Sequence, residues 1–172
     1  GGFYANLSWS PDGKHLLFCD KTNRVAYLTL ESGKVTDVAR IQGSLGEIRP
    51  GATWSADSKW IAFEQRNPRT TYDRIALYEL ATGKVTSITD AFGSASSPAF
   101  SRDGKHLYFS ASVESGPQRF GLDMSTSAAR DSESALYVVV LQKDGKNPFA
   151  PKSDEGFGKD DDKDDDGDKD KK

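Results

Sequence analysis

The sequence predicts an all-β fold built from three copies of one four-stranded antiparallel unit, followed by a charged tail. Three observations carry that prediction. One phrase recurs as Trp9-Ser-Pro-Asp-Gly-Lys14, Trp54-Ser-Ala-Asp-Ser-Lys59 and Phe100-Ser-Arg-Asp-Gly-Lys105. A short apolar, aromatic stretch follows each copy and ends on Phe18, Phe63 or Phe109. The copies stand 45 and 46 residues apart, a period that marks an array of identical supersecondary units. Four antiparallel strands in each period of that size make the blade of a β-propeller. The expected architecture is therefore a partial β-propeller of about three blades, with a disordered acidic C-terminal tail.

Each blade is expected to run through the same elements, with first-copy strands near 5–9, 15–20, 24–30 and 34–39. The recurring phrase joins the first two strands as a turn. Ser10-Pro11-Asp12-Gly13 has Pro at the second position and Gly at the fourth, the preferences of a type I turn. In the second copy Ser58 replaces the glycine, so that turn is the strained one if its backbone needs φ > 0. The second strands, His15-Leu-Leu-Phe18, Trp60-Ile-Ala-Phe63 and His106-Leu-Tyr-Phe109, are apolar on both faces, as in a sheet covered on both sides. Third strands follow at Val25–Leu30, Ile75–Leu80 and Leu136–Leu141. The hairpin phrases Glu31-Ser-Gly-Lys34, Ala81-Thr-Gly-Lys84 and Lys143-Asp-Gly-Lys146 come next, with Gly where a tight turn wants it. Outer strands close the first two units at Val35–Val38 and Val85–Ile88. Asn147-Pro-Phe-Ala150 holds this place in the third, where proline weakens a strand. The expected divisions are blades at 1–43, 44–90 and 91–151, with an insertion at 112–134, and a disordered linker at 152–172.

The order W-S-P-D-G-K, apolar strand, I-x-L/V-Y and x-G-K-x-T resembles the TolB-like or WD40-like propeller repeat across residues 3–151. The third copy adds the insertion with Phe120-Gly-Leu-Asp-Met-Ser125, then Ala135-Leu-Tyr-Val-Val-Val-Leu141, Pro148-Phe-Ala-Pro151 and Ser153-Asp-Glu155. That order looks like the end of the first propeller in tricorn-like serine peptidases of the S41 class. The resemblance implies a non-catalytic propeller that guides peptides toward a distant active site or contributes to assembly. It also implies that a charged linker leads into a second propeller and a peptidase core. The family's nucleophilic serine and its histidine belong to that separate C-terminal region. No stretch here matches it, so no catalytic residue carries over. The rivals are a TolB-like protein–protein interaction scaffold and the propeller of another hydrolase, such as an α/β-hydrolase oligopeptidase.

Charge is unevenly spread. The net formal charge is −3, but from Asp154 onward ten acidic residues face five lysines. The preceding part is near neutral, so neither nucleic acid nor an anionic membrane is an expected partner. The single cysteine, Cys19, excludes an internal disulfide framework. The longest apolar run, Ala135 to Leu141, is far too short to span a membrane. A cytoplasmic location is expected, with the periplasm as the alternative. Three blades do not close a ring, since propellers run to roughly four to eight. The expected partner is thus the remainder of a longer polypeptide, and the alternative is a second copy completing a six-bladed ring.

The chemistry-bearing residues read mostly as scaffold. His15 and His106 hold one repeat position and are the only histidines, so any Ser–His mechanism would have to recruit a repeat residue. Asp12, Asp57 and Asp103 also repeat, and Asp in a turn commonly accepts hydrogen bonds from nearby backbone N–H groups. Asp162-Lys-Asp-Asp-Asp-Gly167 fits the opening of a calcium loop, but its twelfth position would fall at residue 173. No metal and no cofactor are expected. The candidate contacts to substrate or partner are Arg119, Phe120, Asp123 and Arg130, within the long insertion. Loops of that length in a compact domain are usually functional or disordered.

Overall fold

The computed structural model describes residues 2–40, 51–67, 69, 72–90, 93–112 and 134–150. Among these residues every regular element is a strand, and the strands form three antiparallel sheets. The first sheet holds β1 (Tyr4–Trp9), β2 (His15–Asp20), β3 (Arg24–Thr29) and β4 (Lys34–Arg40) in sequential order. The second repeats the pattern with β5 (Ala52–Trp54), β6 (Trp60–Arg66), β7 (Asp73–Glu79) and β8 (Val85–Ser87). The third is a sheet of three strands, β9 (Ser94–Phe100), β10 (His106–Ser112) and β11 (Ala135–Val140). The partial propeller expected from the period is the fold observed.

One expectation changes in the third blade. Residues 147–150 form no fourth strand there. Pro148 has no N–H to give a ladder, and Asn147 turns the chain instead. Its carbonyl accepts from the Ala150 N–H at 3.1 Å and its side chain from the Phe149 N–H at 2.9 Å.

Register decides which face each side chain joins. Leu17 and Cys19 of β2 pair with Tyr27 and Val25 of β3. These four residues share a face and pack on Trp54, Ile61, Phe63 and Tyr78 of the second blade. The opposite face of the second blade, carrying Ala62, Ile75 and Leu77, packs on Ala95, Leu107 and Phe109 of the third. The core therefore lies between blades rather than inside any one of them. The second sheet is buried by a neighbour on each face, which explains why its second and third strands are apolar on both.

The repeat predicts burial between or within blades for Trp9, Phe18, Trp54, Phe63, Phe100 and Phe109, and of these Phe18, Trp54, Phe63 and Phe109 are buried. Phe100 is half-buried. Trp9 is 59% exposed, whereas its counterpart Trp54 is 7% exposed. Trp54 is covered by the first blade. Among the described residues no blade lies on the equivalent face of the first, so Trp9 stays in solvent.

Candidate interaction surface

The repeated phrase builds the same turn three times. The N–H of Gly13, Ser58 or Gly104 donates to the carbonyl of Ser10, Ser55 or Ser101 at 2.9–3.0 Å. All three residues take the left-handed backbone, with φ of 69°, 61° and 70°. The serine hydroxyl donates to the aspartate two residues on, at 2.6–2.7 Å, and accepts the N–H that opens the next strand at 2.9 Å. The aspartate also accepts the lysine N–H, from Lys14 to Asp12 at 3.0 Å and from Lys105 to Asp103 at 3.0 Å. The serine hydroxyl, followed by that N–H, holds the Asp12 and Asp103 carboxyls below the usual carboxylate range. The Ser55 hydroxyl does the same for Asp57, against some desolvation. These carboxylates fasten turns.

Both histidines are likewise committed to structure. The His15 ring stacks on Trp54 of the next blade with centroids 5.9 Å apart, and meets Tyr27 edge-on at 5.3 Å. Its Nδ1 lies 3.2 Å from the Thr29 hydroxyl. His106 Nε2 lies 3.1 Å from the Lys146 carbonyl, and its ring is 6.2 Å from that of Tyr108. Trp60 occupies the same repeat position in the second blade and packs against the core shared with the third. In the first two blades the position after the turn lysine is thus a place for a ring that covers the next blade.

Three polar contacts stitch the seams. The Trp54 indole N–H donates to the Ser8 carbonyl at 3.2 Å. The Asp12 N–H donates to the Ser58 hydroxyl at 3.1 Å. The Glu64 carboxylate accepts the Ser97 N–H at 2.7 Å. Ser97 sits in a bulge of β9 with φ of 56°, and Asn6 takes φ of 54° at the matching place in β1. Gly51 is their counterpart, where an added Cβ would come 2.7 Å from Glu64 Oε1. Signals existed for the Ser58 and Gly51 positions, in the exchange of Gly for Ser and of Asn or Ser for Gly.

Among the described residues no further blade packs on the outer face at either end of the arc. The first-blade face carries Tyr4, Trp9, Leu16, Phe18, Ala26 and Leu28, as the pairings of β1, β2 and β3 require. Tyr4 meets the Phe18 ring edge-on at 5.4 Å, and the Arg24 guanidinium lies 6.0 Å from its centroid. Arg24 is fixed by Asp20 at 2.8 Å and Asp37 at 3.0 Å. Desolvation pushes the Asp20 carboxyl up, but donation from the Thr22 hydroxyl and N–H and from Arg24 outweighs it, holding the group at about 2. At the far end the third blade presents His106, Tyr108, Leu136 and Val138 on one face. Leu136 is 64% exposed, and Phe149 meets Tyr108 edge-on at 6.2 Å.

The candidate contacts Arg119, Phe120, Asp123 and Arg130 lie outside the described residues, as do the acidic tail and its calcium-like segment. Among the described residues no cluster of His, Cys, Asp and Glu is arranged to hold a metal ion, and no helix is long and apolar enough to cross a membrane. Cys19 is fully buried, and desolvation pushes its thiol up to about 11.

No family model matches the chain. It is 28% identical over 153 residues to tricorn protease homolog 1 of Streptomyces coelicolor, covering 87% of this chain and 14% of that protein. It is 29% identical over 150 residues to a protein of Sulfurisphaera tokodaii described as a tricorn-like protease C-terminal subunit, covering 87% and 16%. The chain thus spans only 14–16% of the length of these curated relatives. Among solved structures, the tricorn protease superposes with a TM-score of 0.63 at 22% identity, over 84% of this chain and 14% of that one. TolB from Acinetobacter baumannii gives 0.57 at 17% identity, over 83% and 31%. The β-propeller domain of the trilobed protease from Pyrococcus furiosus gives 0.55 at 13% identity, over 81% and 39%. The expected resemblance to TolB-like and tricorn-like propellers holds.

Proposed function

We propose that this chain is the non-catalytic propeller portion of a tricorn-like protease and helps peptides reach a peptidase core elsewhere in a longer polypeptide. The observation that carries the reading is sequence similarity to tricorn-type proteins along 87% of the chain, in a part whose two histidines are engaged in packing and structural polar contacts. A ring of blades encloses a channel, and a channel sorts unfolded peptides from folded proteins by width alone. That is the chemistry-free contribution a propeller makes to a protease. The TolB-type scaffold shares the fold, but at 17% identity that likeness carries no function. A cytoplasmic location belongs to the same proposal. The buried Cys19 does not support it, since an inaccessible thiol survives in either compartment.

Two assays test the reading. The purified chain should give only background hydrolysis of unstructured peptides; turnover abolished by His15→Ala would overturn it. In the full polypeptide, deleting this portion should alter the length range of peptides cleaved while cleavage of a short chromogenic peptide persists. An unchanged length range would sink the access role.

A further inference from the structure

We infer that the inner wall of the arc, made by the first strand of each blade, is a charge-blind lining that lets extended peptides pass whatever side-chain charge they carry. The inference rests on the protease reading above and adds to it the determinant of what passes. First strands meet across the seams, β1 against β5 and β5 against β9. The Trp54 indole of β5 donates to the Ser8 carbonyl of β1, and a Cβ added to Gly51, just before β5, would lie 3.6 Å from Pro98 of β9. At the other end of each four-stranded sheet, β8 is exposed along its length and β4 along most of its own. Propeller blades stand around a central channel, so the first strands border that channel and the fourth strands face outward.

No residue of β1, β5 or β9 is charged, in a chain where 28% of residues are. These strands are mostly Ala, Ser, Thr and Asn. Glu64 reaches the wall from β6, but it is half-buried and its carboxylate accepts the Ser97 N–H across the seam at 2.7 Å. Among the described residues each first strand ends its sheet, so one row of its N–H and C=O groups is open to pairing with an extended chain. The bulges at Asn6 and Ser97 interrupt that row, which keeps a long ladder from trapping the chain. Backbone groups are the same in every peptide. A wall that meets its substrate through them, with no free charge of its own, has nothing with which to sort lysine-rich from glutamate-rich chains.

The test uses the full polypeptide and two long peptides that share one cleavage site, one flanked by lysines and the other by glutamates. At low salt the ratio of their kcat/KM values should be the same with and without this portion. Ser97→Asp and Asn6→Asp each place a carboxylate on the wall at an exposed position. Asp tolerates the left-handed backbone that both positions adopt, so circular dichroism should show both variants folded. Each should tilt the ratio toward the lysine-flanked peptide at least about fivefold at low salt, and the tilt should fade as salt screens it. A ratio that changes when this portion is deleted would overturn the inference, as would a folded variant that leaves the ratio unchanged. The length range of peptides cleaved reads the access role separately. Should deletion alter both that range and the charge ratio, the access reading stands and the charge-blind wall falls.

Discussion

Ser58 keeps the left-handed backbone of its glycine counterparts at φ 61°, a conformation that costs a side-chain-bearing residue about 1–2 kcal/mol. What offsets that cost is its hydroxyl, which accepts the Asp12 N–H across the seam. Two substitutions separate the terms. Ser58→Ala retains the strain and loses the bond, so it should destabilise by about 1 kcal/mol. Ser58→Gly relieves one and loses the other, leaving the chemical-denaturation midpoint nearly unchanged. The strained position was legible, since a serine stands where glycine is wanted. Its partner was not, because which turn faces Ser58 depends on how far one blade is offset from the next, and no local pattern encodes that offset. Asp20 is the residue to follow by pH. Its folded carboxyl lies at about 2 against about 3.9 in an unfolded chain, so the folded state binds fewer protons between those values. The stabilisation is therefore present above about pH 4 and disappears as pH falls through about 2. Thermal midpoints of wild type and Asp20→Asn should differ at pH 6 and converge near pH 2.

Among elements, the turn and its following strand form the unit that the sequence described most fully. Serine, aspartate and lysine recur because one hydroxyl and one carboxylate satisfy the turn's own N–H groups. The carboxylate reading as a structural group follows from that geometry. The three turns differ in burial, and this sets a graded test. Ser55 is buried at 4% exposure, while Ser101 is only half-buried. Ser55→Ala leaves the Trp60 N–H without its acceptor in a dry place and should cost about 1–3 kcal/mol. Ser101→Ala should cost less, because water reaches the freed His106 N–H. Equal losses in a urea titration would show that burial is not the discriminating variable. That residues 147–150 of the third copy form no strand was foreshadowed by Pro148. The contacts proposed in the insertion rest on composition alone, and a loop without periodicity offers no face on which to place a side chain.

At the scale of the whole molecule, stability resides in seams, and this is where repeat logic both succeeds and fails. Position nine of the first copy and position 54 of the second are the same by pattern, and the pattern gave both the same expected burial. Burial is set by the neighbour, however, and only Trp54 has one within the described residues. The difference between 59% and 7% exposure makes a direct comparison of one residue type in two environments. Trp54→Ala removes an indole that stacks on His15, lies near Tyr27 and donates to the Ser8 carbonyl. Its cavity sits in the core joining two blades, so the loss should be about 3–5 kcal/mol. Trp9→Ala leaves no cavity in an isolated chain and should change stability by less than about 0.5 kcal/mol. A deficit for Trp9→Ala as large as that of Trp54→Ala, read from chemical denaturation, would mean that the first blade's outer face is already covered within the chain.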